Sequence, residues 1–132
     1  MVGEQNLATL LATMSPELIE GEYVFCTFKE AHYGDRAELK PLAAIQETEG
    51  LTLLIPKAQA DTHQLRYESV FRGITLRIHS SLDAVGLTAA FSAKLTEHGI
   101  SANVMAGYYH DHIFVQRDQA EQALQALLEL ME

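Results

Sequence analysis

The chain has 132 residues, a length that suits one compact domain or two fused half-size units with a real hydrophobic core. Its 9 basic and 18 acidic side chains give a formal charge of −9, which argues against a nucleic-acid partner, because phosphates require a basic face. No apolar stretch approaches membrane-spanning length, so we expect no membrane partner and a cytoplasmic location. The single cysteine, Cys26, excludes an internal disulfide bond and is expected to be a small buried hydrophobe.

The first half of the chain predicts short elements of both kinds. In chain order they are an amphipathic helix over Leu7 to Met14 closed by Ser15 and Pro16, a buried strand over Tyr23 to Phe28, a loop over Ala31 to Lys40, a hairpin made of Leu42 to Gln46 and Leu51 to Ile55, and a polar helix over Lys57 to Leu65. No low-complexity linker separates this half from the second.

The second half opens with a predicted strand and helix. Ile74, Leu76 and Ile78 alternate with polar residues, which is typical of a half-buried strand. After a polar loop, apolar residues at helical spacing predict a helix from Gly86 to His98, followed by Gly99 as a left-handed cap.

A hairpin and a last helix follow. Ile100 to Tyr108 and His112 to Val115 are rich in strand-forming residues and flank a polar turn at His110 and Asp111. Tyr108 and its neighbour Tyr109 are expected on opposite sides of one strand. From Asp118 the spacing becomes helical again, and Asp118 with Glu121 has the spacing of a capping box. The second half is therefore predicted to run β-α-β-β-α.

This order, with the phrases DAVGLTAAFSAKLTEHGISANV and YYHDHIFV, resembles the ACT domain, a ferredoxin-like regulatory module that binds small molecules. The segments PELIEGEYVFCTF and ETEGLTLLIP are similar to the N-terminal part of small bacterial tandem-ACT proteins. The chain is also similar to the ACT pairs of aspartate kinases and of small cytosolic arginine sensors. The resemblance implies an α+β fold of two ferredoxin-like (ACT-type) units packed together, with antiparallel sheets and helices on one face. The units are expected at residues 1–68 and 69–132, with residues 71–79 shared between the two halves.

The loop before the second-half helix is the first candidate for a binding site. A helix start supplies backbone N–H donors for a ligand carboxylate, Asp83 is suited to an ammonium group, and Gly86 allows a close backbone approach. The resemblance implies one wall from this loop and an opposite wall from the strand after the helix. The expected ligand-binding residues are Ser81, Asp83, Ala84, Val85, Gly86, Asn103, Val104 and Met105. The alternative is that Ser81 or Asp83 only caps the helix, because capping selects the same residue types.

A metal site is the second candidate. His110 and His112, at positions i and i+2, could bind a transition metal with Asp111 or His79 as a further ligand. Such sites need three or four ligands, and polar residues at a hairpin turn are more often solvated. We therefore expect no metal, and because no phosphate-binding glycine loop is present, no nucleotide cofactor.

Catalysis is the least favoured alternative. It would use Cys26 with a histidine, or Ser80 or Ser81 with His79 and Asp83. The spacing of these residues matches no known nucleophile signature. The sequence as a whole predicts a non-catalytic sensor that binds a small molecule, most simply an amino acid, and acts through a homodimer or a protein effector. The alternatives are a scaffold that binds no ligand and, below it, a small histidine-dependent metal enzyme.

Overall fold

The computed structural model describes residues 6–77 and 86–132. The part described is a mixed α+β structure with antiparallel strand pairing and four α-helices. The helices are α1 (Leu7–Ala12), α2 (Lys57–Thr62), α3 (Leu87–Glu97) and α4 (Ala120–Glu129). The strands are β1 (Pro16–Leu18), β2 (Tyr23–Lys29), β3 (Ala43–Glu47), β4 (Gly50–Pro56), β5 (Phe71–Leu76), β6 (Asn103–Ala106) and β7 (Asp111–Gln116).

Contacts divide the chain into two compact units. The central unit is Gly21–Phe71, and the terminal unit combines Met1–Glu20 with Arg72–Glu132. The first 20 residues therefore group with the C-terminal half, so the compact units do not follow a single division of the sequence. The boundary at residues 68/69 stays a prediction.

The central unit is built on the strand order β3–β4–β2. Antiparallel register places Val24 opposite Ile55 and Ala44 opposite Leu53. Its core consists of Val24, Cys26, Leu39, Leu51, Leu53, Ile55 and Ala60. The predicted strand, hairpin and short helix are all present. In β2, however, only the alternate residues Val24 and Cys26 are fully buried, because one face of this strand points away from the core.

Gly50 allows β4 to approach β2 closely at its first residue. The φ of 151° at Gly50 lies in the region that favours glycine, and a Cβ at this position would collide with the backbone carbonyl of Phe28. A side chain at this position would require the backbone of β2 or β4 to shift.

The terminal unit places β5 beside β1 and β7, and β7 beside β6. Strand β1 was not predicted, because its three residues, Pro16–Leu18, are too few to show a period. It pairs with β5 from Pro16 opposite Leu76 to Leu18 opposite Ile74. Thr75, one of the polar residues that alternate with the apolar ones in this predicted half-buried strand, is only 5 % exposed.

Helices α3 and α4 cover the core of the terminal unit. α3 buries Leu87, Phe91 and Leu95, which lie at intervals of four residues, and its end is joined to α4 by an ion pair of 2.7 Å between Lys94 Nζ and Glu129 Oε1. The predicted β-α-β-β-α order and the left-handed Gly99, with φ of 70°, are confirmed. The buried core is Leu10, Met14, Ile74, Leu76, Leu87, Phe91, Leu95, Ile100, Ile113, Val115, Ala120, Ala123, Ala126 and Leu127.

The prediction of a capping box at Asp118 and Glu121 is wrong. A 3-10 turn over Arg117–Gln119 precedes α4, so the N-cap residue is Gln119, and no side chain caps it. This turn moves the helix start beyond Asp118.

The prediction for the β6–β7 hairpin is right in its strands and wrong at its tip. Asp111 is the first residue of β7 rather than part of the turn. Tyr108 and Tyr109 lie in the turn and do not alternate across a strand. They are 66 % and 64 % exposed, and their rings pack edge to face with centroids 5.0 Å apart.

Candidate functional site

The structure describes only part of the predicted site. Ser81, Asp83, Ala84 and Val85 lie outside the described residues, as do the catalytic and metal candidates His79 and Ser80. Gly86 is the N-cap of α3, with φ of 94° and no side-chain hydrogen bond capping the helix. A Cβ at Gly86 would lie 3.2 Å from a Leu7 methyl group, and no β6 atom would be within 4 Å of it.

The three candidates on β6 do not share a face. Val104 packs against the core of the terminal unit, whereas its neighbours Asn103 and Met105 point to the other side of the sheet. The Asn103 amide donates a hydrogen bond of 3.1 Å from Nδ2 to the Phe114 carbonyl oxygen across the hairpin. Met105 is directly opposite His112.

Asn103, Met105, His112 and Thr75 share one face of the sheet in the terminal unit, which we call the Thr75–His112 face. The Thr75 hydroxyl and His112 Nδ1 form a hydrogen bond of 3.0 Å between β5 and β7. Thr75 is buried, and His112 is partly buried. Sequence reasoning missed this pair because the two residues are 37 positions apart and nothing in their local pattern joins them.

Burial shifts the pKa values of His112, on this face, and of its neighbour Asp111. It lowers the pKa of the His112 imidazole, and the positive charges of His110 and Arg77 lower it further, although Asp111 opposes them. Burial also raises the pKa of the Asp111 carboxyl, against the effect of the two neighbouring histidines. A neutral imidazole with one nitrogen on Thr75 can offer its second nitrogen to a ligand as a hydrogen-bonding group.

The metal and nucleophile alternatives gain no support from this geometry. In residues 6–77 and 86–132, no three histidine, cysteine, aspartate or glutamate side chains are grouped so that they could hold a metal ion. Cys26 is buried, its Sγ donates to the Arg66 carbonyl oxygen at 3.5 Å, and burial raises its pKa. A protonated, buried thiol is a poor nucleophile.

Two sequence profiles of the ACT domain family match this chain in tandem, over residues 2–72 and 68–129. The chain belongs to the ACT domain family. The two ACT matches overlap at residues 68–72, where β5 begins. ACT domains are typically regulatory and ligand-binding rather than catalytic. A search of curated proteins finds no match.

Solved structures agree with this assignment. The chain is 55 % identical to a Vibrio cholerae protein of unknown function described as a possible transport protein, with 96 % of each chain covered and a TM-score of 0.87. The ACT fold also matches the ligand-free regulatory subunit of aspartate kinase from Thermus thermophilus, with 12 % identity, a TM-score of 0.67, and 92 % and 99 % of the two chains covered. An Agrobacterium tumefaciens protein matches with 14 % identity, a TM-score of 0.73, and 88 % and 87 % coverage. Within the described residues of this ACT protein, no helix has the length and apolar character needed to cross a membrane.

Proposed function

We propose that this ACT protein is a cytoplasmic sensor without catalytic activity that binds an amino acid in its terminal unit. The observation that carries the proposal is the tandem ACT match, because the module is typically regulatory. The likeness to regulatory subunits of aspartate kinases supports the same fold, and the ligand class is our inference.

The proposed site combines the start of α3 with β6. The first backbone N–H groups of α3 have no side-chain cap at Gly86, so they are suited to an amino-acid carboxylate. In this proposal Asp83 accepts from the ammonium group, with Ser81, Ala84 and Val85 completing the loop wall. Asn103 and Met105 contribute the strand wall from the Thr75–His112 face, whereas Val104 supports β6 from the core side, where α3 packs. Because β6 stands at the end of the strand order of the described residues, the proposed ligand lies across this edge of the sheet.

We further propose that ligand binding is transmitted through a homodimer or an effector protein. Allosteric coupling between sites is typically about 1–3 kcal/mol, which is enough to shift an assembly equilibrium. Light scattering with and without ligand measures this shift directly.

A thermal-shift screen against the twenty amino acids tests the proposal. A ligand at about 100 times its dissociation constant stabilises the folded state by about 2.7 kcal/mol, which raises the melting temperature by several degrees. Asp83→Asn should abolish the shift, whereas Asp118→Asn should leave it unchanged, because the Asp118 side chain is 93 % exposed at the start of the 3-10 turn. If the shift of every stabilising amino acid survives Asp83→Asn, the proposed site is contradicted, and no shift with any amino acid would favour the scaffold alternative.

A further inference from the structure

The central unit contains a cleft that has no part in the site proposed above. Its volume is about 660 Å³, within the range of small-molecule sites, and every residue that lines it belongs to the central unit. The lining comes from β2, from Thr52 of β4, and from the segment 66–71 that leads into β5.

The cleft lies where the segment before Phe71 runs beside β2 without pairing with it as a strand. The register of β2 and β5 joins Tyr23 to Phe71. Before that point, the incoming segment is held near β2 by the hydrogen bond from Cys26 Sγ to the Arg66 carbonyl oxygen, at 3.5 Å, without forming a strand. The gap between segment and strand is therefore fixed at both ends.

An aromatic surface lies at one end of the cleft. Phe25 and Phe71 are both half-buried, and their rings pack edge to face with centroids 5.2 Å apart and an interplanar angle of 82°. Such a pair offers a rigid apolar contact at little cost in side-chain entropy.

Opposite charges lie on the segment at the same cleft. Arg66 and Glu68 both line it and are exposed, and neither side chain enters a hydrogen bond or ion pair in the described structure. Other charged residues do pair, as Lys57 with Asp61 and Lys94 with Glu129 show. A guanidinium fork is suited to a carboxylate, and a carboxylate to an ammonium group.

We propose that this cleft is a second ligand site, which binds a zwitterionic α-amino acid with an aromatic or large aliphatic side chain. Arg66 holds the ligand carboxylate, Glu68 holds the ammonium group, and Phe25 with Phe71 contacts the side chain. The hydroxyls of Thr27 and Ser69, which also line the cleft, supply further hydrogen bonds. This site does not depend on the site at Gly86.

An NMR titration of the full-length ¹⁵N-labelled protein with L-phenylalanine, phenethylamine and 3-phenylpropionate tests the inference. The two analogues lack the carboxylate and the ammonium group, respectively. With L-phenylalanine, the amide signals of Phe25, Thr27, Ser69 and Phe71 should move together and saturate. Each analogue should bind about five- to tenfold more weakly, because one charge-assisted contact is lost in a solvent-screened site.

Two variants test which charged group of the ligand binds Arg66 and which binds Glu68. Arg66→Gln should weaken L-phenylalanine binding about five- to tenfold and remove its advantage over phenethylamine. Glu68→Gln should remove its advantage over 3-phenylpropionate. Lys29→Gln, which neutralises an exposed lysine at the end of β2 outside the cleft lining, is the matched control and should leave all three affinities unchanged.

The outcomes separate the two proposed sites. Shifts confined to residues 86–105 would overturn the cleft inference and support the site at α3 and β6. Shifts confined to the cleft would support the inference and show that L-phenylalanine is not the ligand of the α3 site. Equal affinities for the three compounds, or no movement of the cleft amides at about 10 mM L-phenylalanine, L-leucine and L-methionine, would overturn the inference, since this concentration detects millimolar binding.

Discussion

At the residue scale, His112 makes the stability of the terminal unit depend on pH. Burial lowers the pKa of its imidazole from the ordinary value of 6.5, so the unfolded chain binds the proton more readily than the folded chain. The free energy of unfolding should therefore fall as the pH drops from above 6.5 towards the folded pKa. The raised pKa of Asp111 acts in the opposite sense, from its ordinary value of 3.8 upwards.

We expect His112→Gln to reduce this pH dependence. Denaturant unfolding between about pH 7.5 and pH 5.5 should show a smaller loss of stability in the variant than in the parent, because the variant lacks the titrating group. His32→Gln, which changes an exposed histidine of the central unit, should retain the parent's loss. Equal losses in the parent and in His112→Gln would contradict the assignment.

Gly50 is a second residue whose substitution should change the stability of the protein. Gly50→Ala should lower the free energy of unfolding by about 2 kcal/mol or more, because it adds an unfavourable φ to a collision with the Phe28 carbonyl. Gly99→Ala is the control, since Gly99 has φ of 70° and nothing within 4 Å of its would-be Cβ. This substitution should lower the free energy of unfolding by only about 1 kcal/mol, the cost of the left-handed backbone conformation alone. Denaturant unfolding measures both, and similar costs would exclude a steric role for Gly50.

At the scale of elements, the hydrogen bond from Thr75 to His112 joins β5 to β7. We expect Thr75→Val to lower the free energy of unfolding by about 1–3 kcal/mol, because it leaves His112 Nδ1 without its partner in a partly buried place. Thr27→Val makes the same chemical change at an exposed strand position and should alter stability by less than about 0.5 kcal/mol. If chemical denaturation gives the two variants the same stability, the bond contributes nothing measurable.

Element prediction from sequence succeeded where a period was long enough to read. The eleven residues of α3 bury one face at regular spacing, and the hairpins are marked by polar or glycine-containing turns. It failed at β1, which has three residues, and at the start of α4, where Asp118 precedes a 3-10 turn instead of capping the helix. Short elements and exact ends depend on neighbours that lie far away in the sequence.

At the scale of the whole molecule, the terminal unit is discontinuous in sequence. Leu10 and Met14 are fully buried in its core, and β1 pairs with β5. The Ile19 backbone N–H donates to the Gly73 carbonyl oxygen at 2.8 Å, so the chain leaves β1 beside the point at which it enters β5. A tight turn could therefore replace the central unit.

We expect a shortened protein, with residues 1–20 joined to residues 72–132 through Asn-Gly, to unfold cooperatively. Asn-Gly favours the two-residue turn that connects antiparallel strands. The fragment 69–132 should lack such a transition, because it loses the core contacts of Leu10 and Met14. Thermal unfolding followed by circular dichroism compares the two, and a cooperative transition in the fragment alone would show that the first 20 residues are dispensable.

The sequence by itself determined the fold class and the ACT family, because both rest on patterns within a few tens of residues. It also determined the extent of α3, from the spacing of Leu87, Phe91 and Leu95 up to Gly99. Gly86 was placed correctly at a helix start for the same reason. The sequence did not predict that Val104 packs on the core side of β6, away from Asn103 and Met105.

Only the tertiary structure decided which distant residues share a surface. The Thr75–His112 pair and the cleft between β2 and the segment before β5 both join positions about 40 residues apart, and the grouping of residues 1–20 with residues 72–132 spans still more of the chain. Such pairings depend on strand register and burial, which are set by the packing of the whole unit. The local alternation that identifies a strand contains no information about its partner.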